Sequence, residues 1–110
     1  MLNALVTGAN GFTASYVCRQ LIEKGYKVRG LIRKDCDLKL INGVPIDFYY
    51  GDLARDSDFS EAMKGIDVVY HIAAAYRTEN VPRKYFWDVN VEGTRKLLEA
   101  AKKAGVSHFS

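Results

Sequence analysis

Apolar and polar positions alternate along this chain in blocks that change period. Short apolar runs at Leu2 to Val6, Val28 to Ile32 and Ile46 to Tyr50 read as strands. Ile66 to Ala75 is the most apolar segment, and an unbroken run of that kind suits a central parallel strand covered on both faces. Val106 to Phe109 opens a fifth strand. Between these runs the spacing becomes helical. Tyr16, Val17, Leu21 and Ile22 predict a first helix from Gly11 to Lys24, stopped by Gly25. Ser57 to Lys64 reads as a second helix, with Asp58 and Glu61 in its first turns and Gly65 closing it. The last helix is the longest, from Val81 to Ala104. Pro82 sits in its first turn, and Tyr85, Val89, Gly93, Leu97 and Ala101 form an i, i+4 ladder. Residues 35 to 45 read as a connection with one helical turn at Leu38 to Ile41.

The resulting order, β-α-β-β-α-β-α-β, predicts an α/β fold, a doubly wound parallel sheet with strand order 3-2-1-4-5. That order places a crevice between the carboxyl ends of strands 1 and 4, where the winding reverses. The Gly8 to Gly11 turn lies on one side of it and His71 to Ala75 on the other. Arg33 closes strand 2 and Asp52 closes strand 3, so four loops converge on one ligand.

The turn itself, Thr7-Gly8-Ala9-Asn10-Gly11-Phe12-Thr13-Ala14, carries candidate chemistry. A glycine turn between a strand and a helix offers a phosphate the helix's unpaired N–H groups and the positive end of its dipole. Gly8 permits the tight turn, Gly11 lets a pyrophosphate approach the backbone, and Ala14 lets the helix pack closely on the strand. The spacing is G-x-x-G-x-x-A, and on its own such a pattern is weak evidence. Its place between strand and helix is what strengthens it.

Composition sets the bounds. With 110 residues, 48% of them apolar, the chain reads as one domain spanning 1–110. A net charge of +3 without a basic run argues against a nucleic-acid surface. Cys18 and Cys36 are far apart and read as two free thiols of a reducing compartment. No apolar run reaches membrane-spanning length, and the first strand starts too early to leave room for a signal peptide. The cytoplasm is the expected location, with no membrane partner and no metal site.

Four motifs, in order, resemble the N-terminal part of an extended short-chain dehydrogenase/reductase of the NAD(P)-dependent epimerase/dehydratase family. They are Thr7 to Ala14, Gly51-Asp52-Leu53, His71-Ile72-Ala73-Ala74, and Asn90-Val91-Glu92-Gly93-Thr94. Ala14 departs from the family's usual glycine. His71 to Ala75 followed by Tyr76-Arg77 is more similar to nucleotide-sugar epimerases than to flavonoid-type reductases. The resemblance implies a cofactor site of Gly8, Asn10, Gly11, Phe12, Thr13, Arg33, Lys34, Asp52, Leu53, Ala73, Ala74, Ala75 and Asn90. Within it, Asp52 would bond the adenine amino group beside the Leu53 backbone, and Ala73 and Ala74 would line the nicotinamide ribose. It also implies a homodimer through the 82–104 helix and a small-molecule substrate, a nucleotide sugar or a small carbonyl compound, changed by hydride transfer.

Plainer roles stay open for several of these residues. Asp52 can be a turn or cap aspartate, and His71 a hydrogen-bonded residue at a strand end. Asn90, expected on the inward face of the last helix near Phe86 and Gly93, can support the active site or make a structural hydrogen bond. The position about twenty residues past the glycine turn meets the adenosine ribose. Arg33 and Lys34 stand there, and an arginine fork suits a 2′-phosphate, which favours NADP(H); Asp35 keeps NAD(H) as the alternative.

The family's chemistry needs a Tyr-x-x-x-Lys pair, in which lysine lowers the tyrosine pKa for proton exchange beside the nicotinamide. None of the seven tyrosines has lysine four residues on. No catalytic residue is therefore assigned. The chain reads as the cofactor-binding piece of such an enzyme, truncated in strand 5, with Ser110 inside that strand. Tyr85, Val89 and Leu97 would then face water. A non-catalytic NAD(P)-binding regulatory module, or a ligand-free remnant, are the alternatives.

Overall fold

A computed structural model of the chain describes residues 2–34, 37–56, 58–72 and 83–110, with the backbone alone for Tyr85 and Phe86. Five parallel strands form one sheet in the order β3-β2-β1-β4-β5, the expected doubly wound arrangement. They are β1 (Asn3–Thr7), β2 (Lys27–Ile32), β3 (Asp47–Tyr50), β4 (Val68–His71) and β5 (His108–Phe109). Register is set by pairs such as Val6 with Gly30 and Val6 with Tyr70 on the two sides of β1. At the sheet's amino edge, Asp67 fastens three strands. Its carboxylate accepts from Asn3 N at 2.8 Å, and its carbonyl accepts from Ser107 N and Oγ at 2.9 Å.

β1 is buried on both faces, and the two-residue period of a strand divides its side chains between two cores. Ala4 and Val6 join Ala14, Cys18, Leu21 and Val28 under helix α1 (Phe12–Glu23). Leu5 joins Leu31, Leu53, Phe59, Met63, Val69 and Leu97 on the opposite face. Gly30 in β2 is where the first core is tightest. A Cβ there would stand 2.8 Å from Ala9 Cβ and 3.0 Å from Ile46 Cγ2.

Three expectations are corrected. The helix predicted over 57–64 does not form; the described residues of this stretch make a run of turns. Asp58 Oδ1 accepts from Ser60 N at 2.9 Å and draws the chain into a local turn, the alternative that short polar side chains offer to a helix. Met63 N then bonds both Phe59 O and Ser60 O at 3.2 Å, and Gly65 turns away at φ +77° before a second helical turn can be added. Arg29 holds this end by donating from Nη1 to Ala62 O and Lys64 O at 2.8 and 2.9 Å.

The long last helix is helical without interruption over its described residues, but its turns change width along it: α2 (Arg83–Trp87), a π-helical stretch Asp88–Gly93, and α3 (Thr94–Ala104). Gly105 ends α3 at φ +77°, as its C-terminal position requires of glycine. The wider π turn rotates the residues it carries. Asn90, expected inward, is exposed.

The third correction concerns Val89 and Leu97, expected to face water. They are buried against Leu53, Phe59 and Met63, with Leu97 fully so. Leu53 and the turns of 58–65 cover them where a helix was expected to.

Candidate functional site

β1 ends at Thr7, and the chain leaves it through Gly8 at φ +64°, a backbone conformation that favours glycine. Gly8 N donates to Leu31 O at 2.9 Å, which fixes the turn to β2. Gly11 N bonds Gly8 O at 2.9 Å, and a Cβ on Gly11 would press on that same oxygen at 3.3 Å. Gly11 is the N-cap of α1 and makes no side-chain cap, and no acidic residue occupies the first helical turn. The start of a twelve-residue helix is thus left without an internal anion, its dipole uncompensated. Asn10 is half-buried beside it, while Phe12 and Thr13 are exposed. Ala14 is buried and lets α1 lie close to β1, as its size predicts.

A cleft opens over the carboxyl ends of the strands, lined by Thr7, Gly8, Asn10, Ile32, Arg33 and Gly51, with Leu31 and Leu53 as its floor. Gly8, Asn10, Arg33 and Leu53 of the expected set are therefore brought together, and Lys34 lies next to them, exposed. Thr7, Leu31, Ile32 and Gly51 line the cleft too. Thr7 and Gly51 belong to the motifs that mark the site, while Leu31 and Ile32 were legible only as strand residues.

Asp52 sits at the cleft's edge and is committed to its own loop. Its Oδ1 accepts from Ala54 N at 2.9 Å, its N–H donates to Asp56 Oδ2 at 2.7 Å, and Arg55 Nε lies 3.9 Å from Oδ2. The turn role is present, and the carboxylate edge is at the surface. Leu53 is buried and contributes to the cleft's floor. Gly93 makes this placement possible, because a Cβ there would stand 2.9 Å from Leu53 Cβ. Lys96 completes the clamp by donating to Asp56 O at 2.6 Å.

His71, at the end of β4, is fully partnered. Nδ1 lies 2.8 Å from Thr7 Oγ1 and Nε2 2.8 Å from Thr94 Oγ1. Burial holds its pKa below the ordinary imidazole value, which favours the neutral ring. Cys18, under α1, is buried and its thiol is pushed up to about 11 by desolvation, which makes it inert as a nucleophile. Ala73, Ala74 and Ala75 lie outside the described residues, as does Cys36. Asn90 is on the exposed side of the π stretch, and its carbonyl accepts from Thr94 Oγ1 at 2.9 Å. Among the described residues no group of His, Cys, Asp and Glu could hold a metal ion, and no helix is long and apolar enough to cross a membrane.

A glycine turn, an uncapped helix start and a cationic strand end around one cleft fit a dinucleotide phosphate group. Known proteins are similar to nearly the whole of this chain. The family model of the NAD dependent epimerase/dehydratase family matches residues 4–110. Sterol demethylase protein B of Methylococcus capsulatus is 37% identical over 105 residues, covering 96% of this chain and 32% of that protein. A putative dihydroflavonol 4-reductase of Synechocystis is 39% identical over 101 residues, covering 92% of this chain and 29% of that protein. A short-chain dehydrogenase/reductase superfamily protein of Agrobacterium tumefaciens, solved with bound NAD, superposes with a TM-score of 0.81. It is 34% identical over 97% of this chain and 31% of its own. The chain spans about a third of the length of these relatives. With the strand order, the glycine turn and a match over nearly all of its residues in agreement, the chain belongs to the NAD-dependent epimerase/dehydratase family.

Proposed function

We propose that these residues form the dinucleotide-binding part of an enzyme that moves a hydride between a nicotinamide cofactor and a small-molecule substrate. The observation that carries this reading is the cleft shared by Gly8, Asn10, Arg33 and Gly51 over the carboxyl ends of β1, β2 and β3, beside the point between β1 and β4 where the winding reverses. Each residue has a task there. Gly8 and Gly11 shape the turn, and the N–H groups at the start of α1 take the pyrophosphate. Arg33 and Lys34 would face the adenosine ribose, Asp52 and the Leu53 backbone the adenine, and Ala73 and Ala74, with Ala75 beside them, the nicotinamide ribose. Asn90, exposed on the π stretch, and Thr13, exposed in the first turn of α1, are assigned to the same ligand. The bound nicotinamide supplies the hydride chemistry; this chain supplies position and charge.

NADP(H) is the favoured cofactor, because a guanidinium at the end of β2 can take a 2′-phosphate with two parallel bonds. NAD(H), bound by the Agrobacterium relative, is the alternative. The substrate belongs to the remainder of the protein, and a nucleotide sugar or a small carbonyl compound fits the reaction class. A cytoplasmic homodimer, with neither nucleic acid nor membrane as partner, completes the proposal. A purely regulatory NAD(P)-binding module shares the same cleft, and turnover by the whole protein separates the two.

The test is a titration of the protein with NADPH and NADH, wild type against Arg33→Asp. Wild type is expected to prefer NADPH, and the variant to lose about 1.5–3 kcal/mol of binding to it while keeping NADH. A wild-type preference for NADH, or an unchanged ratio in Arg33→Asp, defeats the cofactor assignment. Binding of neither defeats the dinucleotide reading.

A further inference from the structure

The side chains of Thr7, His71 and Thr94 form a connected line across the sheet's winding reversal. They come from the end of β1, the end of β4 and the start of α3, three elements that border the crevice. Ile72 N donates to Thr7 Oγ1 at 2.9 Å, so this hydroxyl also fixes the backbone that leads into residues 73–75. Thr94 Oγ1 donates to Asn90 O at 2.9 Å. That commits the only proton of the Thr94 hydroxyl and leaves its oxygen to accept from the ring. His71 Nε2 must then carry the hydrogen, and Nδ1 accepts from the Thr7 hydroxyl. The wiring thereby fixes one tautomer, assigned from the network of partners.

From this wiring we infer that His71 is a positioning residue for the nicotinamide half of the dinucleotide. As a neutral Nε2–H ring it ties the exit of β4 to Thr7 and to the π-helical turn that carries Asn90. The inference rests on the dinucleotide reading of the cleft. Among the described residues, the groups facing the ring are two hydroxyls and the Phe109 ring, whose centroid is 6.1 Å away and tilted by 52°. None of these is charged. The ring is also half-buried, so charging it would strand a cation among neutral partners, one of which must then turn its proton away. Neither hydroxyl can relax without cost, because Thr7 Oγ1 also holds Ile72 N and Thr94 Oγ1 also holds Asn90 O. The adenosine side is built from Gly8, Arg33 and Gly51; of the three relay residues Thr7 alone lines that cleft, and neither His71 nor Thr94 does. Loosening the relay should therefore damage one half of the ligand's site and spare the other.

That asymmetry is the test. In the full-length protein, Thr94→Val keeps the side chain's shape and removes the acceptor for Nε2, while Thr94→Ser keeps the hydroxyl. Affinity is measured by calorimetry for NADPH, NADH and the adenosine half alone, as adenosine 2′,5′-bisphosphate and AMP, with thermal melting as a check on folding. Thr94→Val is expected to weaken the dinucleotides about tenfold and leave the adenosine fragments unchanged, with Thr94→Ser near wild type. Equal loss on dinucleotide and fragment, or no loss on either, overturns the positioning role. The tautomer is read independently of any ligand, from the ring nitrogen shifts of His71 by NMR at pH 7.5. A protonated Nδ1 there overturns the relay itself. Wild type that binds no dinucleotide while showing the Nε2–H ring overturns the dinucleotide reading, and with it the role, but leaves the wiring standing.

Discussion

At the scale of single residues, backbone and charge decide more than side-chain identity does. Gly8 and Gly11 show two different needs for glycine. Gly8 is held at φ +64°, whereas Gly11 is extended and is confined by the Gly8 carbonyl. Gly11→Val is expected to abolish dinucleotide binding, since its methyls would occupy the space at the helix start. Unchanged affinity in a folded variant would refute the phosphate role of the turn. His71 gives a prediction in pH. Its folded-state pKa lies below the ordinary value of 6.5 because burial disfavours the charged ring. The unfolded chain therefore binds more protons between the two values, and stability rises with pH there. The contribution is complete above about pH 6.5 and is lost as pH falls through the folded value. Urea unfolding at pH 7.5 and 5.5 should show wild type weaker at the lower pH and His71→Gln with a smaller difference. An equal difference in both would mean that another group governs this range.

At the scale of elements, the stretch between β3 and β4 is the instructive case. Asp58, Glu61 and Gly65 were legible as the start and stop of a helix, yet turns formed. Seven or eight residues are too few for a helix to stand on its own propensity. Packing decides instead, and here Phe59, Ala62 and Met63 are buried without needing a helix. Arg29 substitutes for helical bonds by capping two carbonyls of this stretch. Arg29→Ala is expected to cost about 1–3 kcal/mol, since it strips a charged donor from two carbonyls. Amide exchange at Met63 and Ile66 should accelerate with it. Asp47→Asn is the control, because the Arg29–Asp47 pair is 3.9 Å long with its carboxylate 64% exposed. Such a surface pair contributes about 0–1 kcal/mol. If both substitutions cost the same, the carbonyl cap is not what holds the turns.

At the scale of the whole molecule, the helical face that the sequence marked as apolar is the buried one, and a different set faces water. Trp87, Val91 and Leu98 are exposed by 58%, 41% and 46%. Their spacing of four and seven residues keeps side chains near one side of a helix. Burying a few hundred Å² there would contribute several kcal/mol at roughly 25 cal/mol per Å². Residues 1–110 expressed alone are expected to self-associate in sedimentation velocity and to show no turnover, because no tyrosine is paired with a lysine. Leu98→Glu should shift the distribution toward monomer. A monodisperse wild-type monomer would remove the association argument, and measurable turnover the chemical one.

The sequence by itself determined the parts that depend on neighbours along the chain. Strand order followed from the alternation of periods, because crossovers between parallel strands are short and of one hand. The glycine turn was visible because strand, turn and helix are contiguous, and Arg33 was found by its distance from that turn. What tertiary structure decided is whatever depends on residues far apart. Leu97 is buried because a stretch some forty residues earlier covers it, and Asn90 is exposed on a π turn where an α-helical ladder was expected. Gly30 must lack a Cβ because Ala9 and Ile46 meet over it. The wiring of His71 joins Thr7, 64 positions before it, to Thr94, 23 positions after. No local pattern encodes such a contact, because a hydrogen bond between distant residues is chosen by the packed backbone that brings them within 3 Å.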